Sequence, residues 1–430
     1  MTRRRMSGRP APGRARALAA VALAAAMVLA GCGTRGGDTG GGGGGNIATD
    51  VGVSADTITL GVLGDTSGPF RNLGTGLVQG NQLWADDINA AGGICNRRIA
   101  LDVKDSGYKA DVATTQYRQQ EPNILGYLQL LGSPINAALR GNLESDQVTS
   151  LALSWSSIIL DNPYQIIPGT TYDLEMVNGM AFLQQQGKLA DGDTVGHIYI
   201  GGEYGDNGLL GAQAYAQQHR LKLLPAKVAA TDTDMSNIVT GFQGQGVKAI
   251  LLTTTPAQTA NALNAARTLG LNVPVLGNNP TFDPAVNLAG AAAQSVGNLY
   301  VSASSVPYSA AVPKAQEIRT KFTAKFPQAT KNAGVPYGYA GGLVWQQILT
   351  KACQNGDLTR AGVHEAFTTA GSITTDGLVA SQLDFSRPGS PPSRSVFIGQ
   401  ADPSQEGGLR QVSEVFSAPE AASYKAPHER

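Results

Sequence analysis

Apolar residues along the chain follow two patterns, one of short continuous runs and one of recurrence every three or four residues. From Thr57 onward segments of the two kinds alternate. Short apolar runs of strand length, such as Ile58 to Leu63, precede longer segments in which apolar residues recur every three or four positions, as at Leu77, Trp84 and Ile88. The first pattern is typical of a buried strand and the second of an amphipathic helix. Their alternation predicts parallel sheets covered by helices.

The alternation runs through two series, so we predict an α/β protein with two doubly wound, Rossmann-like units. The first series has strands at 58–63, 99–103, 124–131 and 148–153, with helices at 77–91, 111–120 and 135–146. The second begins after Tyr172, with strands at 195–200, 221–228 and 299–303, helices through Phe182 and at 209–218, and further units over 249–269. Helices are predicted at 313–326, 339–352 and 360–370, followed by short strands over 376–416.

The N-terminus has the pattern of an export signal. Six arginines precede a short apolar run, which ends in Leu29-Ala30-Gly31-Cys32. This pattern resembles a bacterial lipoprotein signal, which implies removal of residues 1–31 and attachment of lipid to Cys32. An ordinary secretory signal with an incidental cysteine is the alternative. Residues 32–53, which contain six consecutive glycines, are predicted to form a flexible tether.

Charge and cysteine content narrow the class of protein. The chain has 32 basic and 32 acidic residues, and loss of the six signal arginines leaves a net charge of −6, so the basic surface of a nucleic-acid-binding protein is missing. Cys95 and Cys353 remain as an even pair in an oxidising compartment, and we expect a disulfide between them. Two unrelated buried thiols are the alternative. No zinc motif is present, and no metal or cofactor is expected.

The tested catalytic motifs are missing. Gly74 to Gly80 has the wrong spacing for a dinucleotide fingerprint, and Val247 stands where a phosphate-binding loop needs lysine. The four histidines fall in unrelated segments and are interpreted as structural or surface residues. We therefore predict that the protein is not an enzyme.

Four segments, in this order and spacing, carry a resemblance to a known family. They are the run Ile58-Thr59-Leu60-Gly61-Val62-Leu63 leading to Ser67-Gly68-Pro69, then Asp87-Ile88-Asn89-Ala90-Ala91-Gly92-Gly93-Ile94, Glu203-Tyr204-Gly205, and Ala265-Ala266-Arg267-Thr268-Leu269-Gly270-Leu271. Over Thr57 to about Phe416 the chain resembles the type I periplasmic binding proteins. It most closely resembles the leucine/isoleucine/valine-type solute receptors of ABC importers.

The resemblance implies two lobes joined by three crossovers, with a ligand trapped between them when the lobes close. By position, lobe 1 is expected to comprise 54–170 and 305–374, and lobe 2 to comprise 171–304 and 375–416. Residues 417–430 are expected to form a disordered tail.

The resemblance also implies a ligand site at the carboxyl ends of the strands. Ser133, Ser154 and Ser156 are implied to hold a carboxylate, with Tyr204 facing it from lobe 2. Each serine has the alternative role of a helix cap or turn residue. Trp155 is interpreted either as a stacking partner of the ligand or as a core residue.

Three further positions depart from the pattern of amino-acid receptors. Asn279 stands where those receptors place an acid for the ligand's ammonium group, and Thr255 replaces an aromatic residue. Leu73 replaces another aromatic residue, which leaves Phe70 as a wall of the cleft. Either Asp173, Glu203 or Asp206 supplies the missing charge, or the ligand is not an α-amino acid.

These observations predict an extracytoplasmic, lipid-anchored, monomeric solute-binding protein of an ABC importer. Its expected partners are a small amino-acid-like or carboxylate ligand and the permease subunits in the membrane. The alternatives are a ligand sensor that passes closure to a membrane receptor, and an exported enzyme on a Rossmann-like body. The missing motifs disfavour the enzyme.

Overall fold

The computed structural model of the protein describes residues 47 to 429. The predicted signal peptide, Cys32 and most of the predicted tether lie outside the described residues. Within residues 47 to 429, no helix has the length and apolar character needed to cross a membrane.

The elements follow the predicted alternation of strands and helices. The first third of the described chain forms β1 (Ala48–Thr49), β2 (Thr57–Gly64), α1 (Arg71–Ala90), β3 (Arg98–Asp105), α2 (Ala110–Gln120), β4 (Gly126–Leu131), α3 (Ser133–Ser145), β5 (Ser150–Leu153) and β6 (Gln165–Ile166). The middle forms α4 (Tyr172–Gln185), β7 (Thr194–Ile200), α5 (Glu203–Gln218), β8 (Lys222–Val228), α6 (Ser236–Gly244), β9 (Ala249–Thr253), α7 (Pro256–Thr268), β10 (Val275–Asn278), α8 (Pro284–Asn287) and β11 (Leu299–Ala303). The last part forms α9 (Pro313–Lys325), α10 (Gly334–Gln354), β12 (Asp357–Leu358), α11 (Arg360–Thr368), β13 (Ser372–Ile373), β14 (Leu383–Asp384), β15 (Phe397–Ala401), β16 (Leu409–Gln411) and α12 (Pro419–Ser423).

Two sheets define two lobes. Lobe 1 contains a five-stranded sheet in the order β3-β2-β4-β5-β6, whose neighbours all run parallel. Lobe 2 contains a seven-stranded sheet in the order β16-β15-β11-β10-β9-β7-β8, in which only β15 and β16 pair antiparallel to their neighbours. In both lobes the strand order reverses after the first strand, the arrangement that opens a crevice at the carboxyl ends of parallel strands. The predicted fold class, an α/β protein with two doubly wound lobes, is confirmed.

Three segments that connect the two sheets are in contact with one another at Thr170, Ser304 and Ser395. The backbone N–H of Thr170 donates to the Ser304 hydroxyl at 3.2 Å, and the Thr170 hydroxyl donates to the carbonyl of Ser395 at 2.6 Å. The chain between β13 and β14 stays with lobe 1, since Ser372 pairs with Asp384. We therefore propose that the third crossing lies at Ser393 to Ser395, after the expected boundary at 374.

Both ends of the folded body extend further than the sequence indicated. Ala48 and Thr49, assigned to the tether, pair in parallel with Asp357 and Leu358, so the folded body begins before the expected residue 54. Residues beyond Ser417, expected to be disordered, form α12, which packs on α4 and buries Ala421 completely. The physical reason is a short apolar face that the polar composition of this segment conceals.

A disulfide joins Cys95 and Cys353, as predicted, with their Cα atoms 6.0 Å apart. It connects the loop before β3 to the last turn of α10. Both positions lie near the edge of lobe 1 at which its strands begin, away from the carboxyl ends of those strands.

Candidate functional site

A cavity lies between the lobes at the carboxyl ends of their strands. Its volume is about 70 Å³, several times what one buried water molecule requires. The side chains that line it come from both lobes and include six aromatic residues. The lining consists of Phe70, Leu73, Leu77, Tyr108, Leu131, Gly132, Ser133, Leu153, Trp155, Tyr172, Tyr204, Asn279, Pro280, Ser305, Ala333, Gly334 and Tyr337.

The lobe 1 wall begins with a loop that an internal carboxylate holds in place. The carboxylate of Asp65 accepts hydrogen bonds from the backbone N–H groups of Gly68, at 2.5 Å, and Phe70, at 2.9 Å. This orients the Phe70 ring, whose centroid lies 4.9 Å from that of Tyr108 and 6.3 Å from that of Tyr204 in lobe 2. Phe70 therefore contacts aromatic residues of both lobes, as a wall residue of a closed cleft would.

A cluster of aromatic rings from both lobes forms another part of the wall. The Trp155 ring lies edge-on to Tyr337, with centroids 5.0 Å apart, and tilted against Tyr172 at 5.6 Å. Tyr172 in turn contacts Tyr204 at 4.8 Å. Edge-on and tilted arrangements suit the ring quadrupoles, so the cluster is held in shape by its own contacts.

Several polar hydrogens are available to a ligand in this cavity. The indole Nε1 of Trp155 is buried and has no hydrogen-bond partner within residues 47 to 429. Burial raises the pKa values of Tyr108 and Tyr172, so both phenols keep their protons and remain donors. Ser133, a lining residue, opens α3, a helix of 13 residues, so the unpaired backbone N–H groups of this helix N-terminus lie next to the cavity.

The predicted site residues separate into two groups. Phe70, Ser133, Trp155, Tyr204 and Asn279 line the same cavity. Ser154, Ser156 and Thr255 do not line it.

The residues of the second group lie outside the cavity lining and form hydrogen bonds with other protein groups. Ser154 donates to the Ser133 hydroxyl at 2.8 Å, and Ser156 donates across the lobe boundary to the carbonyl of Glu203 at 3.0 Å. Thr255 caps α7 by accepting a hydrogen bond from the Gln258 backbone N–H, the helix-cap alternative that the sequence left open for the serines.

The cavity lining contains no acidic or basic side chain among the described residues. Asn279 contributes a neutral amide, whose Nδ2 donates to the Ser305 hydroxyl at 3.3 Å. Behind it lies the buried carboxylate of Glu175, which accepts from the backbone N–H groups of Asn279 and Ser304. Burial raises the pKa of Glu175 well above 4.5.

None of the three acids considered as substitutes for Asn279 lines the cavity. Asp173 is buried and accepts hydrogen bonds from Thr171, Ser157 and Asn207. Asp206 accepts from the Gly202 backbone N–H and pairs with Lys227 at the surface, and the Glu203 side chain is also outside the lining.

Sequence reasoning missed several lining residues. Tyr108, Tyr172 and Tyr337 come from three separate segments, and their sequence signal was weak. Tyr337 lies within an apolar helix, where a tyrosine is usually a core residue. Tyr172 directly follows the first crossover at Thr170, and that position is the one signal that would have indicated it.

Two doubly wound lobes with an uncharged, aromatic-lined cavity between them are the architecture of a protein that binds a small molecule. A family model described as periplasmic binding protein matches residues 57–408. The chain belongs to this family, as a type I periplasmic binding protein related to the substrate-binding proteins of ABC transporters. The family and its solved relatives are binding proteins, so the prediction that the chain is not an enzyme is confirmed.

Solved structures show the same architecture. A fatty acid ABC transporter substrate-binding protein from Thermomonospora curvata is 31% identical, with a TM-score of 0.86 over 89% of this chain and 97% of that one. A branched-chain amino acid ABC transporter protein from Thermus thermophilus with bound valine is 16% identical, with a TM-score of 0.75 over 86% and 98%. A leucine-binding protein from Thermotoga maritima is 14% identical, with a TM-score of 0.71 over 84% and 98%. A search of curated protein sequences gives no match.

Proposed function

We propose that this protein is the extracytoplasmic substrate-binding component of an ABC importer, and that its ligand is a small apolar monocarboxylic acid without an ammonium group. The protein traps the acid between its lobes and releases it unchanged to a permease. The observation that carries this proposal is the cavity lining, which is rich in aromatic and leucine side chains and has no charged side chain.

The absence of an acid from this lining disfavours a free α-amino acid. An ammonium group taken from water into a closed cavity needs an opposite charge close by, since an unpaired buried charge is strongly unfavourable. Asn279 supplies only an amide that already donates to Ser305. The carboxylate of Glu175 lies behind the Asn279 backbone and is engaged by two N–H groups.

A carboxylate, in contrast, is well served by the donors at the end of lobe 1. The N-terminus of α3, the Ser133 hydroxyl and the Trp155 indole N–H lie at adjacent strand ends, and helix N-termini favour anions. Such neutral donors orient a carboxylate without a lysine or arginine.

The remaining lining suits a hydrocarbon tail. Leu73, Leu77, Leu131 and Leu153 face the cavity, and burial of each CH₂ of a ligand contributes about 0.8 kcal/mol. The relative at 31% identity is described as a fatty acid transporter protein, which favours a ligand of the same chemical class.

We also propose that the mature protein acts as a monomer held at the outer face of the cell membrane. Lipid on Cys32 and the glycine-rich segment after it would keep the lobes within reach of the permease. A tether of this kind is compatible with a binding protein that must pass its ligand to a membrane partner.

The test is to identify what the protein carries. Small molecules released by denaturing the purified full-length protein are analysed by mass spectrometry, and straight-chain and branched monocarboxylic acids are ranked by the thermal shift they cause. We expect a co-purified monocarboxylic acid and larger shifts for acids than for amino acids with the same side chain. Larger shifts for the amino acids would overturn the ligand assignment.

A further inference from the structure

We propose that Asp283 of lobe 2 and the side-chain amides of Asn72 and Asn332 of lobe 1 form a latch that holds the lobes closed and slows escape of the ligand. This inference rests on the proposed function only in that a ligand must occupy the cleft. We refer to these three residues as the interlobe latch.

The three residues of the interlobe latch are joined by two hydrogen bonds that cross the boundary between the lobes. The Nδ2 of Asn72, on α1, donates to Oδ1 of Asp283 at 3.1 Å, and the Nδ2 of Asn332, just before α10, donates to Oδ2 at 3.4 Å. Asp283 is 1% exposed and Asn332 is fully buried. Hydrogen bonds to an ionised carboxylate are stronger than those between neutral groups, and burial excludes competing water.

Each half of the latch is positioned by its own lobe. In lobe 2, Asp283 caps α8: its Oδ1 accepts from the Ala285 backbone N–H at 3.0 Å, and its own N–H donates to Asn287 at 2.8 Å. In lobe 1, Oδ1 of Asn332 accepts from the Gly334 backbone N–H at 3.0 Å, and its Nδ2 also donates to the Asn72 carbonyl at 3.0 Å. The side chains of both halves are therefore already held in position before the lobes close.

The latch is directly connected to the ligand cavity. Asn72 precedes the lining residue Leu73, and Asn332 precedes the lining residues Ala333 and Gly334. Asp283 follows the lining pair Asn279 and Pro280 by three residues. A ligand that draws these three segments together therefore also brings the carboxylate and the two amides into hydrogen-bond distance.

The effect of breaking the latch has a definite sign. In the open form water solvates Asp283, whereas in the closed form only the two amides replace that water on the lobe 1 side. Removing an amide leaves a buried carboxylate short of a donor, which destabilises the closed form alone. The ligand then leaves faster, while the rate of its entry into the open form stays the same.

A nearby contact provides a matched control. Lys331 of lobe 1 forms an ion pair with Glu406 of lobe 2 across the same boundary, but the two side chains are 33% and 49% exposed. Exposed ion pairs contribute little. Glu406→Gln therefore removes an interlobe contact of similar position without touching the latch.

The kinetic test uses stopped-flow fluorescence of the full-length protein, with 4-methylpentanoic acid as the probe. We expect Asp283→Asn, which keeps the acceptor for Ala285 and Asn72 but sets an N–H₂ group against the Asn332 amide, to raise the dissociation rate about tenfold with an association rate within twofold. We expect Asn72→Ala to raise the dissociation rate as well. The double variant, Asn72→Ala with Asp283→Asn, should resemble Asp283→Asn. The control Glu406→Gln should change neither rate by more than twofold. An unchanged dissociation rate for Asp283→Asn, or strictly multiplicative effects in the double variant, would overturn the latch.

A second test does not depend on the ligand. The pair Asn72→Cys and Asp283→Cys is treated with a short thiol-reactive cross-linker, and the products are mapped by mass spectrometry. The control pair is Asn123→Cys and Asp283→Cys, because Asn123 precedes β4 at the opposite edge of lobe 1. We expect a link between positions 72 and 283 and none in the control. If no monocarboxylic acid binds but this link forms, the ligand assignment fails and the latch stands. If both cysteines stay unlinked, the latch fails whatever the ligand is.

Discussion

The hydroxyl of Ser154 donates a hydrogen bond to the hydroxyl of Ser133 at 2.8 Å, and only Ser133 lines the cavity. A hydroxyl has a single proton to donate. Because Ser154 supplies the proton in this bond, the Ser133 hydroxyl can direct its own proton into the cavity. We therefore predict different tasks for the two serines: Ser133 contacts the ligand, and Ser154 orients Ser133.

Substitution separates these tasks. Ser133→Ala should weaken binding of a monocarboxylic acid by about 1 to 3 kcal/mol, since it removes a donor to a charged group. Ser154→Ala should weaken it by about 1 kcal/mol or less, because the contact with the ligand itself remains. Isothermal titration calorimetry of both variants checks the order, and a larger loss for Ser154→Ala would contradict it.

The indole N–H of Trp155 gives a second prediction. Trp155→Phe keeps an aromatic ring against Tyr337 but removes a buried donor that has no partner within residues 47 to 429. The free energy of binding the acid should weaken by about 1 to 2 kcal/mol. The free energy of unfolding of the ligand-free protein should change by less. Unchanged affinity would place the carboxylate elsewhere in the cavity.

The fold was largely predictable, but three helix starts were not. The sequence placed the starts of α1, α5 and α10 at 77, 209 and 339, whereas the helices begin at Arg71, Glu203 and Gly334. Each early turn contains glycine, which lowers helix propensity. The reason for glycine is tertiary: a Cβ at Gly74 would lie 1.9 Å from the carbonyl oxygen of Asp65.

This close packing also explains why part of the site was missed. The glycine-containing first turn of α10 carries Tyr337 to the cavity, whereas Leu73 and Tyr204, in the corresponding turns of α1 and α5, were named from the family resemblance. The strand ends at which Ser133 and Trp155 lie can be located from local patterns, and the family resemblance indicated the same segments. Which helix faces reach the cleft depends on contacts between distant segments, and a single sequence does not contain that information.

The disulfide should stabilise lobe 1 without affecting binding. The bond between Cys95 and Cys353 closes a loop across a sequence separation of 258 residues, for which chain entropy gives at most about 5 kcal/mol. Replacing both cysteines by serine should lower the midpoint of urea unfolding and leave affinity for the acid within twofold. A large loss of affinity with little loss of stability would mean that the bond shapes the cleft.

His197 predicts how stability responds to acid. It is fully buried in lobe 2, where its Nε2 lies 3.0 Å from the Thr253 hydroxyl, and burial lowers its pKa from 6.5 to about 3. Below pH 6.5 His197 binds a proton in the unfolded chain but stays neutral in the folded protein. The free energy of unfolding therefore decreases as the pH falls below 6.5.

Urea unfolding of His197→Gln measures this contribution. Between pH 7 and pH 5, the free energy of unfolding should fall less in the variant than in the unmodified protein, by up to about 2 kcal/mol. Identical slopes for His197→Gln and the unmodified protein would show that the histidine is not buried neutral.

We expect the cleft to take a carboxylate with an apolar tail and to reject an ammonium group. Leucine and 4-methylpentanoic acid have the same carbon skeleton and differ only in the amino group, so calorimetric titration of the full-length protein with both is the most direct measurement. We expect 4-methylpentanoic acid to bind at least 100-fold more tightly, a difference of about 3 kcal/mol. Tighter binding of leucine would rule out a ligand without an ammonium group, because a charged partner for that group would then have to exist in the closed cleft.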